Sequence, residues 1–245
     1  MAGIFSIFKG KQAEKQVCCA VVVAAGNARR MEGIDKILAP LGELPVLVHT
    51  LYAFQDCPDV SEVVVVTRED LLLEIGDLCR QFRLDKVKKV VIGGAERIQS
   101  VQAGLAEVRP DASLIAIHDG ARPLLPQEVL TEVIGCALRT GAAAPAIPMT
   151  DTIKRAEDGL AIETVDRSTL FAVQTPQVFD ADLIRAAIQK ALADGELLTD
   201  DCAAVERMGM KVSLTQGSRE NLKLTTPFDL VVAQAILEAR GRGEL

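Results

Sequence analysis

The chain has 245 residues, of which 49% are hydrophobic, and this is enough apolar surface for one domain with a substantial core. Its formal net charge of −7 argues against a general nucleic-acid binder or a protein of anionic membrane surfaces, because both need a basic surface to meet phosphates. The six cysteines show neither CxxC spacing nor the density of a small disulfide scaffold. We therefore expect a cytoplasmic protein with free thiols and without a nucleic-acid or membrane partner.

The first 16 residues hold one short apolar run, Ala2–Phe8, and lack both a basic start and a small-residue cleavage site. This pattern does not resemble a signal peptide. We expect residues 1–16 to form a flexible tail and residues 17–245 to form a single domain.

Continuous apolar runs alternate along the chain with amphipathic stretches of helical spacing, a pattern typical of the α/β class. Strands are predicted at Val17–Ala25, Glu62–Thr67, Lys88–Ile92, Ser113–Ile117, Ala142–Pro148 and Lys211–Thr215. Helices are predicted at Val46–Gln55, Glu69–Phe82, Ile98–Val108, Gln127–Arg139, Ala181–Ala193, Asp200–Met208 and Pro227–Ala239. The alternation predicts a largely parallel sheet covered by helices, with ligands bound outside the carboxyl ends of the strands.

One segment departs from this alternation. Thr152–Ala156 and Leu160–Asp166 have the character of two strands, and Asp158-Gly159 between them supplies the positive φ that a hairpin turn needs. We interpret residues 150–168 as a β-hairpin arm that projects from the main body.

The first candidate for chemistry is the run VVVAAGNARRM at 21–31, where a buried strand leads into small residues and two arginines. Small side chains let backbone N–H groups approach a ligand closely, and the arginines bring positive charge beside them. The run is neither a Walker loop nor the dinucleotide fingerprint. By itself it is equally compatible with a strand-to-helix turn that carries two solvated arginines.

Further polar clusters follow other predicted strands. GGAERIQSV occupies 93–101, and HDGARP at 118–123 places Asp119 at a strand's carboxyl end, where it is a candidate to hold a metal ion or accept from a hydroxyl. His118 is interpreted as a structural support for Asp119. Asp200-Asp201 either starts a helix after a Thr199 cap or contacts substrate, and the pattern leaves both readings open.

In order and spacing, a set of motifs in this chain resembles the 2-C-methyl-D-erythritol 4-phosphate cytidylyltransferases of the non-mevalonate isoprenoid pathway. The motifs are AAGNARRM, the downstream Lys36, GGAERIQSV, HDGARP, TIKR, TVDR, TPQ, TDD and NLKLTTPFDL, and they extend over about Val17 to Ile236. The resemblance implies a mixed, mainly parallel sheet of the nucleotidyltransferase, glycosyltransferase-A-like kind, with helices on both faces. It also implies a homodimer that uses Mg²⁺, CTP and a polyol phosphate and releases pyrophosphate.

Matched motif by motif, the resemblance implies roles for individual residues. Arg30 and Lys36 would be catalytic, because they stabilise the transition state on the CTP phosphates. The cytidine nucleotide would be lined by Ala24, Ala25, Gly26, Gly94 and Ser100. Lys223 and Arg167 would position the acceptor phosphate, Asp119 and Arg122 would face the acceptor and the metal, and Thr152 with Arg167 would reach across from the partner's arm.

This chemistry explains the residue types. A phosphate monoester oxygen attacks the α-phosphorus of CTP, so negative charges are brought together and must be met by cations that are fixed in advance. Two alternatives remain open at this point. One is a ribitol-5-phosphate cytidylyltransferase, and the other is a non-catalytic nucleotide-binding homologue, which Asn27-Ala28 suggests because the family commonly has a glycine there.

Overall fold

The computed structural model describes residues 17–26, 35–196 and 198–245. The predicted tail at 1–16 and the predicted catalytic Arg30 lie outside these residues. The strands of the described part are β1 (Cys18–Val23), β2 (Pro40–Leu41), β3 (Leu44–Pro45), β4 (Val60–Thr67), β5 (Val87–Ile92), β6 (Leu114–Asp119), β7 (Ala142–Pro148), β8 (Ile153–Glu157), β9 (Leu160–Val165), β10 (Phe171–Val173), β11 (Gln177–Asp180) and β12 (Ser213–Gln216). The α-helices are α1 (Val46–Gln55), α2 (Leu72–Gln81), α3 (Arg97–Glu107), α4 (Gln127–Thr140), α5 (Ala181–Ala193), α6 (Asp201–Glu206) and α7 (Pro227–Gly241).

The central sheet has the strand order β5-β4-β1-β6-β11-β7, and β10 and β12 also pair with β7. β5, β4, β1 and β6 are parallel to one another, and β12 is parallel to β7. β11 is antiparallel to both β6 and β7, and β10 is antiparallel to β7. The predicted mixed, mainly parallel α/β sheet is confirmed. The sequence pattern did not predict β10 and β11, because each is too short to show a period.

Helices pack on both faces of the sheet, since alternate residues of a buried strand point to opposite sides. On one face, Val22 packs in a core with residues of α1 and α4, such as Leu51 and Leu130. On the other face, Val21 packs with residues of α3 and α5. A Cβ at Gly104 of α3 would lie 2.4 Å from Val21 Cγ1, so the missing side chain lets this helix approach the sheet closely.

The predicted arm is confirmed as the hairpin of β8 and β9, a two-stranded sheet separate from the central one. Its turn has positive φ at Asp158 (48°) and Gly159 (79°), as the Asp-Gly pair predicted. The arm buries little of its surface in its own chain, and Leu160 and Ile162 are 72% and 52% exposed.

The last helix fixes the polypeptide that precedes it. At the start of α7, Thr226 and Asp229 form a capping box, and Asp229 Oδ2 also accepts from the backbone N–H of Thr225 at 2.8 Å. The backbone N–H of Leu224 donates to Ala121 O at 2.8 Å, so residues 223–226 are held against the segment that follows β6. Among the described helices, none is long and apolar enough to cross a membrane.

Candidate active site

A cavity of about 460 Å³ opens at the carboxyl ends of the parallel strands β1, β4, β5 and β6. This is the edge where a sheet of this class is expected to bind ligands. Eight of the residues predicted from the sequence line it together: Ala24, Ala25, Gly26, Lys36, Gly94, Ser100, Asp119 and Lys223. Separate motifs therefore converge on one site.

One wall of the cavity is made of small residues from the ends of β1 and β5. The Gly94 N–H donates to Ser100 Oγ at 3.1 Å, which ties this wall to the start of α3. A Cβ at Gly93 would lie 2.6 Å from Ser100 Oγ and 2.8 Å from Ala25 Cβ, so a larger residue would displace both neighbours. The wall thus brings backbone close to the cavity, which suits a ligand that packs flat against it.

Another part of the cavity is built around Asp119, which ends β6 and is only 8% exposed. Its carboxylate lies 3.0 Å from Lys223 Nζ, 3.4 Å from Arg122 Nε and 3.8 Å from Arg97 Nη2. Burial alone would raise the pKa of this carboxyl, but the charges of Lys223, Arg97 and Arg122 outweigh it and hold the pKa well below its usual range. Asp119 is therefore ionised at neutral pH.

His118, which precedes Asp119 in β6, is fully buried and does not line the cavity. Its Nδ1 lies 3.0 Å from Thr175 Oγ1, and its Nε2 lies 3.3 Å from Arg122 O. Thr175 Oγ1 accepts from the Asp119 N–H at 3.1 Å. Burial lowers the pKa of His118 to about 4, so the ring is neutral at physiological pH. This geometry agrees with the structural role that the sequence suggested.

Arg97 is a site residue that the sequence analysis did not single out. It lines the cavity, and its two terminal nitrogens each donate to one oxygen of Asp201 at 2.7 Å. Burial disfavours the charged guanidinium, but the carboxylates of Asp201 and Asp119 raise the pKa of Arg97 above its usual value. Both residues lay in quoted motifs, GGAERIQSV and TDD, yet the two motifs are 104 positions apart and no local pattern pairs them.

The two aspartates of the TDD motif make different contacts. Asp200, rather than the expected Thr199, is the N-cap of α6, and its Oδ1 accepts from the Ala203 N–H at 3.0 Å. Asp201 is buried against Arg97. Gln177 of the TPQ motif accepts from the Asp201 N–H at 2.9 Å and donates to Asp200 Oδ2 at 2.9 Å. These hydrogen bonds link the TPQ and TDD motifs.

Arg68, which follows β4, also lines the cavity, and no motif in the sequence marks it. Arg122 does not line the cavity. Its Nη1 donates to Asn221 O at 2.7 Å, and its Nε lies 3.4 Å from Asp119 Oδ2. The expectation that Arg122 faces the acceptor stays a prediction.

Thr152 and Arg167 belong to the arm and its base and do not line the cavity of their own chain. Arg167 Nη1 donates to Thr150 O at 2.6 Å. The expectation that these two residues serve the site of a partner subunit stays a prediction, and so does the role of Arg30.

Comparisons with known proteins point to one family. A family model described as 2-C-methyl-D-erythritol 4-phosphate cytidylyltransferase matches residues 18–239. A curated protein of that name from Halalkalibacterium halodurans is 44% identical over 91% of this chain and 97% of its own. Another of that name, from Caldanaerobacter subterraneus, is 44% identical over 89% of this chain and 97% of its own.

Solved structures agree. The 4-diphosphocytidyl-2C-methyl-D-erythritol synthase from Anaerococcus prevotii superposes with a TM-score of 0.81 at 28% identity, over 92% of this chain and all of that one. The 2-C-methyl-D-erythritol 4-phosphate cytidylyltransferase from Thermus thermophilus has a TM-score of 0.75 at 31% identity, over 89% of this chain and 98% of that one. Each match extends along nearly the whole of both compared chains and includes the motifs that line the cavity. The chain belongs to the 2-C-methyl-D-erythritol 4-phosphate cytidylyltransferase family.

Proposed function

We propose that this enzyme transfers the cytidylyl group of CTP to 2-C-methyl-D-erythritol 4-phosphate, which gives 4-diphosphocytidyl-2-C-methyl-D-erythritol and pyrophosphate in isoprenoid precursor biosynthesis. The observation that carries the proposal is the convergence of the small-residue wall, Lys36, Asp119 and Lys223 on one cavity. The family membership supports the same reaction.

The cavity divides into two chemical regions that suit the two substrates. The wall of Ala24, Ala25, Gly26 and Gly94 offers close backbone for a nucleotide, while Lys223 beside Asp119 offers a cation for the acceptor phosphate. Lys36 would stabilise the charge that develops on the CTP phosphates as the acceptor oxygen attacks and pyrophosphate departs. The acceptor phosphate is already ionised near neutral pH, so the reaction needs no strong general base.

We further propose that Asp119 holds Mg²⁺. Mg²⁺ in nucleotide enzymes is bound by one or two carboxylates, and the substrate phosphates complete its ligand set. An ionised carboxylate that lines the cavity fits this requirement. In the described ranges no three His, Cys, Asp or Glu side chains form a cluster that would hold a metal ion alone, so the phosphates would have to contribute. The metal would neutralise charge on the phosphates.

A homodimer with shared sites is the assembly that we propose. The arm exposes Leu160 and Ile162, which a second copy would bury, and it carries Thr152 and Arg167 away from the cavity of their own chain. In a two-fold dimer, each arm would bring these polar residues to the partner's acceptor site.

We also propose a cytoplasmic location, on the strength of the thiols. All six cysteines are free, and four of them are buried. Burial raises the pKa of Cys19 to about 12, which leaves this thiol protonated and inert. Free, mostly buried cysteines suit a reducing compartment.

Product analysis with a substrate panel tests the reaction. The purified enzyme is supplied with CTP, UTP, ATP or GTP in combination with 2-C-methyl-D-erythritol 4-phosphate or ribitol 5-phosphate. The nucleotidyl-transfer product and the released pyrophosphate are quantified for each pair. We expect CTP and methylerythritol phosphate to be the preferred pair. Preference for ribitol 5-phosphate would reassign the acceptor, and absence of pyrophosphate release with every pair would favour the non-catalytic alternative.

A further inference from the structure

Arg68 makes a set of contacts that joins the end of β4 to the polypeptide around Lys36. Its Nη2 donates to Asp35 Oδ2 at 2.6 Å, and its Nε donates to Asp70 Oδ1 at 3.0 Å. Its Nη1 also lies 3.5 Å from Gly26 O. Arg68 thereby contacts Gly26 and Asp35, the two described residues on either side of segment 27–34.

Asp35 in turn organises the turn that carries Lys36. Its Oδ1 accepts from the Ile37 N–H at 3.2 Å, while its carbonyl oxygen accepts from the N–H groups of Leu38 and Ala39 at 3.1 Å and 2.9 Å. Ile37 of the same turn is buried, and its carbonyl oxygen accepts from the Leu47 N–H at 2.9 Å. Both the core and the Arg68–Asp35 ion pair therefore hold the turn.

We propose that Arg68 is a positioning residue, which holds Asp35 so that the turn presents Lys36 at a fixed place in the cavity. The proposal rests on the proposed function, in which Lys36 stabilises the transition state. A misplacement of about 1 Å in a catalytic group can lower turnover about 10²-fold, so a contact behind Lys36 affects the rate even if it never touches substrate.

The charges around Arg68 favour this role over direct phosphate binding. Two carboxylates already neutralise its guanidinium, at 2.6 Å and 3.0 Å, so it offers little net charge to a triphosphate. The Arg68 and Asp35 side chains are 22% and 21% exposed, and water reaches both. An ion pair of this kind contributes at most about 1 kcal/mol to global stability, so its loss should act on the turn rather than on the fold.

Three single variants separate the possibilities by steady-state kinetics. Arg68→Gln removes the charge, Asp35→Asn keeps an oxygen for the Ile37 N–H but weakens the ion pair, and Asp70→Asn is the matched control, since Asp70 binds the same guanidinium but lies outside the turn. We expect Arg68→Gln and Asp35→Asn each to lower kcat about 10- to 100-fold with the KM for CTP within about 3-fold. Asp70→Asn should stay within about 2-fold of the unmodified enzyme.

The double variant and a conservative one sharpen the test. If Arg68 acts through Asp35, the double variant Arg68→Gln/Asp35→Asn should lose no more activity than the less active single variant, because the two substitutions remove the same contact. Arg68→Lys should recover part of the loss, since it keeps a cation beside Asp35. Losses that multiply in the double variant, or a KM for CTP that rises more than about 10-fold in Arg68→Gln alone, would overturn the proposal by making Arg68 a nucleotide ligand.

Hydrogen exchange measured by mass spectrometry tests the anchoring without any substrate. The amides of Ile37, Leu38 and Ala39 should exchange faster in Arg68→Gln and Asp35→Asn, and at the unmodified rate in Asp70→Asn. Unchanged exchange in Arg68→Gln would overturn the proposal. If the unmodified enzyme failed to form product, the proposed function would be at fault, and the exchange rates would still decide whether Arg68 holds the turn.

Discussion

Replacing Asp201 with alanine removes the bidentate partner of Arg97 and leaves a charged guanidinium beside the cavity. In the folded protein both Asp201 oxygens accept from Arg97 at 2.7 Å. The Asp201 side chain is 2% exposed and the Arg97 side chain is 27% exposed. Among the described residues, the ion-pair partner that then remains for Arg97 is Asp119, whose Oδ1 lies 3.8 Å from Arg97 Nη2.

The size of the effect follows from the burial of the pair. Removal of one partner from a fully buried ion pair costs about 3–5 kcal/mol, because the other charge stays buried without compensation. Water reaches Arg97, so we expect a smaller loss of about 2–3 kcal/mol in the free energy of unfolding. At about 2–4 °C per kcal/mol for a chain of this size, Tm should fall by about 4–12 °C.

Thermal unfolding and steady-state kinetics measure the two consequences. Asp194→Ala is the control, because the exposed Lys190–Asp194 pair lies at the carboxyl end of α5 and its loss should change stability by less than about 0.5 kcal/mol. The double variant Arg97→Met/Asp201→Leu should be more stable than Asp201→Ala, since neither charge remains. In Asp201→Ala we also expect a higher KM for the acceptor, because Arg97 would compete for Asp119 and weaken the contact that fixes the position of Lys223. A Tm equal to that of Asp194→Ala would refute the reasoning.

Further predictions address the cavity and the arm. In steady-state kinetics, Lys36→Ala should lower kcat about 10²–10³-fold with little change in the KM for CTP, while Lys223→Ala should mainly raise the KM for the acceptor. Near-normal turnover in Lys36→Ala would contradict a transition-state role for Lys36. Asp119→Asn should raise the Mg²⁺ concentration for half-maximal rate at least about 10-fold, and an unchanged Mg²⁺ titration would place the metal elsewhere. Arg167→Ala and Lys223→Ala should each be impaired, yet mixed dimers should regain roughly a quarter of the normal rate, since half the dimers are mixed and each holds one intact site of two. No recovery after subunit exchange verified by mass spectrometry would confine Arg167 to its own chain. Burial lowers the pKa of His118 from 6.5 to about 4, so the unfolded state binds the proton first and stability is lost as pH falls through this window. Urea unfolding at pH 7 and pH 5 should differ by about 2 kcal/mol more in the unmodified protein than in His118→Gln.

Local patterns in the sequence predicted the elements that form the frame of the site. The buried run of β1 is apolar on both faces because helices cover both sides, and this can be read without coordinates. The Asp158-Gly159 turn and its two strands were also predicted, since a turn with positive φ favours particular residue types. The motifs at the ends of β1, β5 and β6 were found because parallel strands present their carboxyl ends at one edge.

Long-range pairing was decided only by the tertiary structure. β11 lies antiparallel between β6 and β7, and its four residues show no period that would have marked it as part of the sheet. Arg97 and Asp201 are 104 positions apart, and Arg68 and Asp35 are 33 apart. Whether an arginine is solvated, binds a substrate or holds a carboxylate depends on which groups the fold places within hydrogen-bond distance of its guanidinium. The sequence determined the residue types and the strand ends on which they lie, whereas only the packed fold determined their partners, because a side chain's partner depends on distance in space and not on separation along the chain.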